Sequence, residues 1–467
     1  MTFLRHTCRL RAERGQVLAL GLFFLFACAA VMYLMFNSGR AVDEKIRLTN
    51  AADAVAYSVA LMETRALNYD AWTNRAIVAN QVAIAQAVGL AAWLRYFERG
   101  VANAPLLASL STSWIYEPSD YPDLLRLVAA FGGTAYANAL GGQPIARALP
   151  ALERSLATIV AAHDGAAHAL AGSQTLLHAS LATGAAQQAL ASELVRRIDP
   201  AMSAELIPSS HGFASFTRRY GRNEAGGDLR GRLAELTTRS LDEFSRDRRW
   251  SIGGPDIFPL QRNVELKRRG GTELIGFDQW RALDTLEHEG QRLRKGRWRW
   301  QRQSLAWSAA ETGSSEGGRG DHGGSYRDNP KTSKGYAEPS MRELDRVGAS
   351  FTGLPATRGL ADLAAGSETS TGLSLRVSKP RRALRLSGGS SRVEPSGRLH
   401  QFDATVPGDE FAALARAEAF FDRSNARTDG RTELPSLYAP YWQVRLASPS
   451  AADRAWAAAR QEGAVLP

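Results

Sequence analysis

The chain is poor in thiols: of 467 residues only Cys8 and Cys28 are cysteine, and both fall within the first thirty positions. No disulfide can staple the rest, so everything beyond residue 40 must be held by ordinary packed cores, for which 44% hydrophobic content is sufficient. Proline is missing from Asp43 to Phe97, which removes the strongest helix breaker from that stretch. A second apolar run of spanning length is also missing, so one membrane crossing is the most the chain can make by a helix. CxxC, HExxH and Walker A patterns are absent, and with them the common signatures of zinc sites and P-loops. His163, His168 and His178 stand at steps of five and ten, which do not stack imidazoles on one helix face as the i, i+4 spacing of a zinc pair does. Neither a cofactor nor a metal is expected. Acidic residues are outnumbered, giving a net charge of +10, a balance that suits an anionic partner such as a membrane surface, a cell-wall polymer or nucleic acid.

What is present begins with "ERGQVLALGLFFLFACAAVMYLMFNSGR", Glu13 to Arg40. Val17 to Phe36 carries no charge, and about twenty residues rising 1.5 Å each cover the roughly 30 Å of a bilayer core. Arg5, Arg9, Arg11 and Arg14 precede it and Asp43 and Glu44 follow it, so the positive-inside rule places the amino end in the cytoplasm and the remainder outside. A cleaved secretion signal has a shorter apolar region and a small-x-small site, and none follows "YLMFNSG". The expectation is a permanent anchor. Cys28 within it needs no role beyond an apolar side chain.

The proline-free stretch predicts a long helix continuing from the anchor. Leu48, Ala52, Val55, Val59, Met62, Ala66 and Tyr69 recur at steps of four and three, a seam that packs either inside this chain or on a partner. Residues 41–205 read as a helical domain with breaks at Pro105, "EPSDYPD", "FGGT", "GGQP" and Asp199-Pro200. Near 205 alanine falls while arginine, glycine and aromatics rise. Residues 206–310 then read as a basic, aromatic, strand-rich region, 311–341 as a Gly/Ser-rich linker, and 342–467 as an α+β domain. Within these regions "FDQWRALDTLEH" is expected as a short helix and "DEFAALARAEAFF" as another, with "GLSLRVS", "RALRLS" and "YWQVRLA" as strands. The fold class expected is thus a single-pass membrane protein whose transmembrane helix continues into a helical domain, followed by an α+β carboxyl-terminal half.

Two short features offer chemistry. "GSSEG" around Ser315 matches the nucleophile elbow by letters, but that motif needs a strand before it and a helix after it, and here it lies in a Gly/Ser tract. A hydrolase with Ser315 as nucleophile is therefore kept as an alternative only. Arg297, Trp298, Arg299 and Trp300 alternate in period two, fitting either a half-buried strand with tryptophans inward or a grip on a polyanion or nucleic acid. For an exported segment the strand reading is favoured and nucleic acid is not an expected partner.

"RLTNAADAVAYSVA", Arg47 to Ala60, following the anchor, resembles the corresponding segment of TadG-like proteins of the tight-adherence (Flp pilus) machinery, and "NRAIVANQVAIAQ", Asn74 to Gln86, resembles what often follows it. The resemblance covers about the first 90 residues. It implies a bacterial inner-membrane protein with a periplasmic body, without enzymatic activity, serving pilus assembly or surface adhesion alongside other assembly or minor pilin proteins. Partner contact would fall on Leu48, Asn50, Asp53, Val55, Val59 and Met62. The metal-binding DxSxS motif of family members that carry a von Willebrand type A domain is missing, so no such domain is expected. Gly15 before Gln16 has the look of a prepilin peptidase site, yet Leu20 stands where pilins place the glutamate used for polymerisation.

Overall fold

The computed structural model describes residues 16–141, 144–208, 212–218, 220, 228–313, 321–322, 344–346, 351–359, 370–385, 410–423, 427–431 and 433–461. One helix dominates: α1 runs unbroken over Gln16–Ala102, 87 residues, about 130 Å at 1.5 Å per residue. Its first part is long and apolar enough to cross a membrane, and none of that window is buried by the rest of the chain. Glu44 is the first residue of α1 to be buried, and from Leu48 to Val101 the same helix supplies the centre of the core. The apolar run and the spine of the body are thus one element.

Four more helices follow, α2 (Ala104–Ser113), α3 (Tyr121–Gly141), α4 (Pro144–Leu181) and α5 (Ala185–Ile198). The long α4 lies along α1 and α5 packs beside it. "FGGT" does not end a helix as expected: Gly132 and Gly133 sit inside α3, whose Phe131 ring is buried against Tyr96 and Phe97 of α1. Packing outweighs the roughly 1 kcal/mol that a glycine costs a helix.

The strands are β1 (Ser203–Leu206), β2 (Trp250–Gly254), β3 (Arg262–Ile275), β4 (Gln279–Arg294), β5 (Arg297–Gly313), β6 (Asp321–His322), β7 (Leu344–Arg346), β8 (Ser370–Pro380), β9 (Glu410–Phe421) and β10 (Trp442–Ala447). Among the described residues they make two sheets. A near sheet, order β1-β8-β9-β10, is antiparallel and packs on α1 from Leu48 to Ala60. A far sheet, order β2-β3-β4-β5-β7 with β6 on β3, packs on α1 from Val78 to Val101. β1 contains the expected boundary at 205 and pairs with β8. Short helices at Phe213–Arg218, Asp228–Arg239, Glu243–Arg246 and Ala451–Gln461 complete the described structure.

Two expected helices are strands. In β9, Ala413, Ala415, Ala417 and Ala419 are buried while the residues between them are half-buried. Alanine favours helix locally, but here its period-two face meets Ala51, Ala52, Ala56 and Ala60 of α1, and small residues on both sides allow a close sheet-on-helix approach that burial rewards. "FDQWRALDTLEH" becomes a turn followed by β4, which is buried from Gln279 to Gly290 at every position but Arg281. Buried on both faces between β3 and β5, it shows no alternation. "RALRLS" is no strand as far as it is described: Arg381–Ala383 forms a 3-10 turn after Pro380. Of the expected linker, Glu311–Gly313 belong to β5.

Candidate functional site

The motif residues that resemblance singled out divide into two groups. Leu48, Val55 and Val59 are buried in this chain's own core, against Leu373, Leu375 and Val377 of β8. Met62 is half-buried beside Phe216 and Trp442. Asp53 is half-buried, and Asn50 is exposed on a groove of about 480 Å³ shared with Arg47 and Arg385. Gln16 is exposed at the start of α1, while Gly15 and Ser315 lie outside the described residues.

Sequence reasoning missed a line of polar side chains on the buried side of α1. Glu63, Asp70, Asn74 and Gln81 are separated by steps of seven, four and seven, which places them within about 40° of one another around the helix, and all are fully buried. Together they hold α4, α5, β4 and the segment at Leu437. Gln187 of α5 donates to Glu63 at 3.2 Å; His178 of α4 meets Asp70 at 2.5 Å. Asn74 donates to the Leu437 carbonyl at 2.7 Å and to that of Arg358, and accepts from Gln174 of α4 at 2.8 Å. Trp280 of β4 donates its indole N–H to Gln81 at 3.3 Å. An apolar seam alone permits sliding; these specific buried hydrogen bonds favour one register for each docked element. The signal was present in the sequence as a polar period inside an apolar one.

Buried ion pairs clamp both ends of the body. Lys379 of β8 reaches Glu44 and Asp199, each at 2.9 Å. Burial pulls its ammonium down, but hydrogen bonds to the two carboxylates hold it above the usual lysine range. In the far sheet Asp284 of β4 receives Arg248 through two bonds of 2.9 and 2.8 Å and Arg268 at 3.2 Å.

The most exposed chemistry lies at the free end of the β4–β5 hairpin. Asn103, just past α1, donates to the Leu305 carbonyl at 2.8 Å, and Ser308 donates to that of Ala92. β5 therefore runs antiparallel to α1, and from Leu305 back to Arg297 it continues beyond the helix end for about 25 Å. The turn is Lys295-Gly296, both at positive φ, 51° and 75°, as a two-residue hairpin turn requires. Arg294 stands directly across from Arg297, and Arg292 across from Arg299. Arg292 is taken up by Trp114, over whose ring it lies at 4.0 Å. Arg294, Lys295, Arg297 and Arg299 are exposed and have no acidic partner among the described residues. The expected inward orientation holds for neither tryptophan fully: Trp298 is half-buried against Phe258, and Trp300 is 49% exposed.

Beside this end His288 is buried, with Nδ1 3.0 Å from the Tyr116 hydroxyl and Nε2 without a partner among the described residues. Burial first, and the nearby Arg292 second, lower its pKa to about 4 from 6.5. The unfolded chain takes up this proton near pH 6.5 and the folded chain only near 4, so stability falls as pH drops through that window, by up to about 3 kcal/mol. In His288→Asn this slope should vanish; melting temperatures of the two proteins, compared from pH 7 to pH 4, should diverge with wild type losing more. Parallel curves would remove His288 from the account.

Among the described residues no group of three or more His, Cys, Asp or Glu side chains is placed to hold a metal ion. Comparison with family models, with curated proteins and with solved structures finds no match for this chain.

Proposed function

We propose that the protein is a non-enzymatic, membrane-anchored scaffold of the bacterial inner membrane, its body exported to the periplasm, working in pilus assembly or surface adhesion with other assembly or minor pilin components. The observation that supports this reading is the continuity of α1 from an unburied apolar run into the core of the body. An anchor that doubles as the spine transmits position and force without a hinge, which suits a spacer better than a freely tethered enzyme. The resemblance around Asn50 to Asp53 supplies the pilus setting.

Protease added to spheroplasts should degrade the body, and mass spectrometry of the native chain should find an amino terminus ahead of Gln16. Protection of the body would overturn the topology; a chain beginning at Gln16 would turn the reading toward a processed, pilin-like subunit. A deletion strain should lose surface attachment and recover it fully with a Ser315→Ala copy. Failure of that copy would favour the hydrolase.

A further inference from the structure

We propose that the free end of the β4–β5 hairpin is a docking site for a linear acidic polysaccharide, gripped by Arg294, Lys295, Arg297 and Arg299. The assignment of polymer class rests on reading the body as exported, where such polymers are found.

Like charges directly opposite on neighbouring strands destabilise a hairpin, and this one sets Arg294 against Arg297 and Arg292 against Arg299 with Lys295 at the turn between them. Elsewhere in the far sheet several basic side chains are answered, Arg268 with its neighbour Arg248 by Asp284 and Lys267 by Glu265 and Glu289. Among the described residues none supplies an anion at the tip, so an anion from outside would relieve what repulsion water and salt leave unscreened. Arg294, Lys295, Arg297 and Arg299 line a cleft of about 690 Å³ together with Trp300 and Gln301. Successive basic residues on one face of a strand are about 6.7 Å apart, within reach of carboxylates carried on neighbouring sugars, and guanidinium groups bind carboxylates through paired hydrogen bonds. Gln301 adds an amide for sugar hydroxyls.

The aromatic rings favour a saccharide over nucleic acid. Stacking of bases needs a row of free ring faces, but Arg262 covers Trp298 at 5.8 Å and Arg302 covers Trp300 at 5.4 Å. What is left open is charge, amide and the outer edge of Trp300. The position also fits. The tip lies beyond the end of α1, about 100 Å along the helix from Phe36, where a polymer lying away from the bilayer can be reached and the membrane surface cannot.

The test is titration of the full-length chain, held in nanodiscs of uncharged lipid, with polygalacturonate. Binding should weaken about tenfold or more between 50 and 200 mM salt. Arg297→Gln combined with Arg299→Gln should lower affinity by at least about tenfold while leaving the melting temperature equal or higher, because one member of each repelling pair is gone. Arg196→Gln with Arg197→Gln, on the exposed side of α5, should bind as wild type does. Absence of polygalacturonate binding at low salt, or binding that ignores the Arg297/Arg299 change, would overturn the proposal. So would a twenty-nucleotide oligothymidylate that binds tighter than polygalacturonate. An inverted topology would show in the spheroplast experiment and leave this titration unchanged.

Discussion

Replacing Asp284 with alanine should destabilise the body by about 3–5 kcal/mol, the usual cost of removing one side of a buried ion pair. The reason is what remains. Asp284 is fully buried and receives two bonds from Arg248 and one from Arg268, so its loss leaves two guanidinium groups facing each other away from water. Arg248 is also fixed from behind, donating to the Phe244 carbonyl at 2.6 Å, and cannot swing out cheaply. The neighbouring strand is shaped to the pair: a Cβ at Gly270 would lie 2.3 Å from the Asp284 Oδ1, so glycine there makes room for the carboxylate. Denaturant unfolding followed by tryptophan fluorescence checks the prediction. A triple change to apolar residues, Asp284→Leu with Arg248→Met and Arg268→Met, should cost clearly less than Asp284→Ala alone, because no charge is then stranded. If the single change costs under about 1 kcal/mol, in the range of an exposed pair, the triad is not the clamp described.

Ala71→Pro should be at least as damaging, about 3 kcal/mol or more from the helix alone. Ala71 is fully buried in α1 between the segments that carry the near and far sheets. Proline removes one helix hydrogen bond and pushes its ring against the preceding turn, bending the spine. The bend would also draw Asp70 and Asn74 away from His178, Gln174 and the Leu437 carbonyl. Circular dichroism and limited proteolysis should show the body loosened as a whole, with the apolar segment still inserting in bilayers. A protein that loses only one sheet to protease would show that the two sheets do not depend on a common helix.

Much of α1 was legible in the sequence. Twenty uncharged residues, flanking charges and a proline-free stretch to Phe97 define an apolar run continuing into a helix, and the seam from Leu48 to Ala66 marks its buried side. β5 was visible through the alternation at Arg297 to Trp300, and β8 and β10 as the strand segments "GLSLRVS" and "YWQVRLA". β9 and β4 were not. The alanines of β9 prefer helix until the small face of α1 covers them, and β4 lost its alternation because neighbours cover both its faces. Of the candidate surface, Arg297 to Trp300 stood out as a pattern, but its direction was hidden: the residues across from Arg297 and Arg299, and the arginines over the two rings, come from elsewhere in the chain.

The sequence by itself determined the local quantities, namely length, charge and periodicity, and so the apolar run, the helix that extends it and the excess of basic side chains. The tertiary structure alone decided which face of that helix each sheet covers, which buried charges meet, and that unanswered arginines face one another at the far end. Those outcomes depend on contacts between residues as far apart as Glu44 and Lys379, and no window along the chain contains both partners.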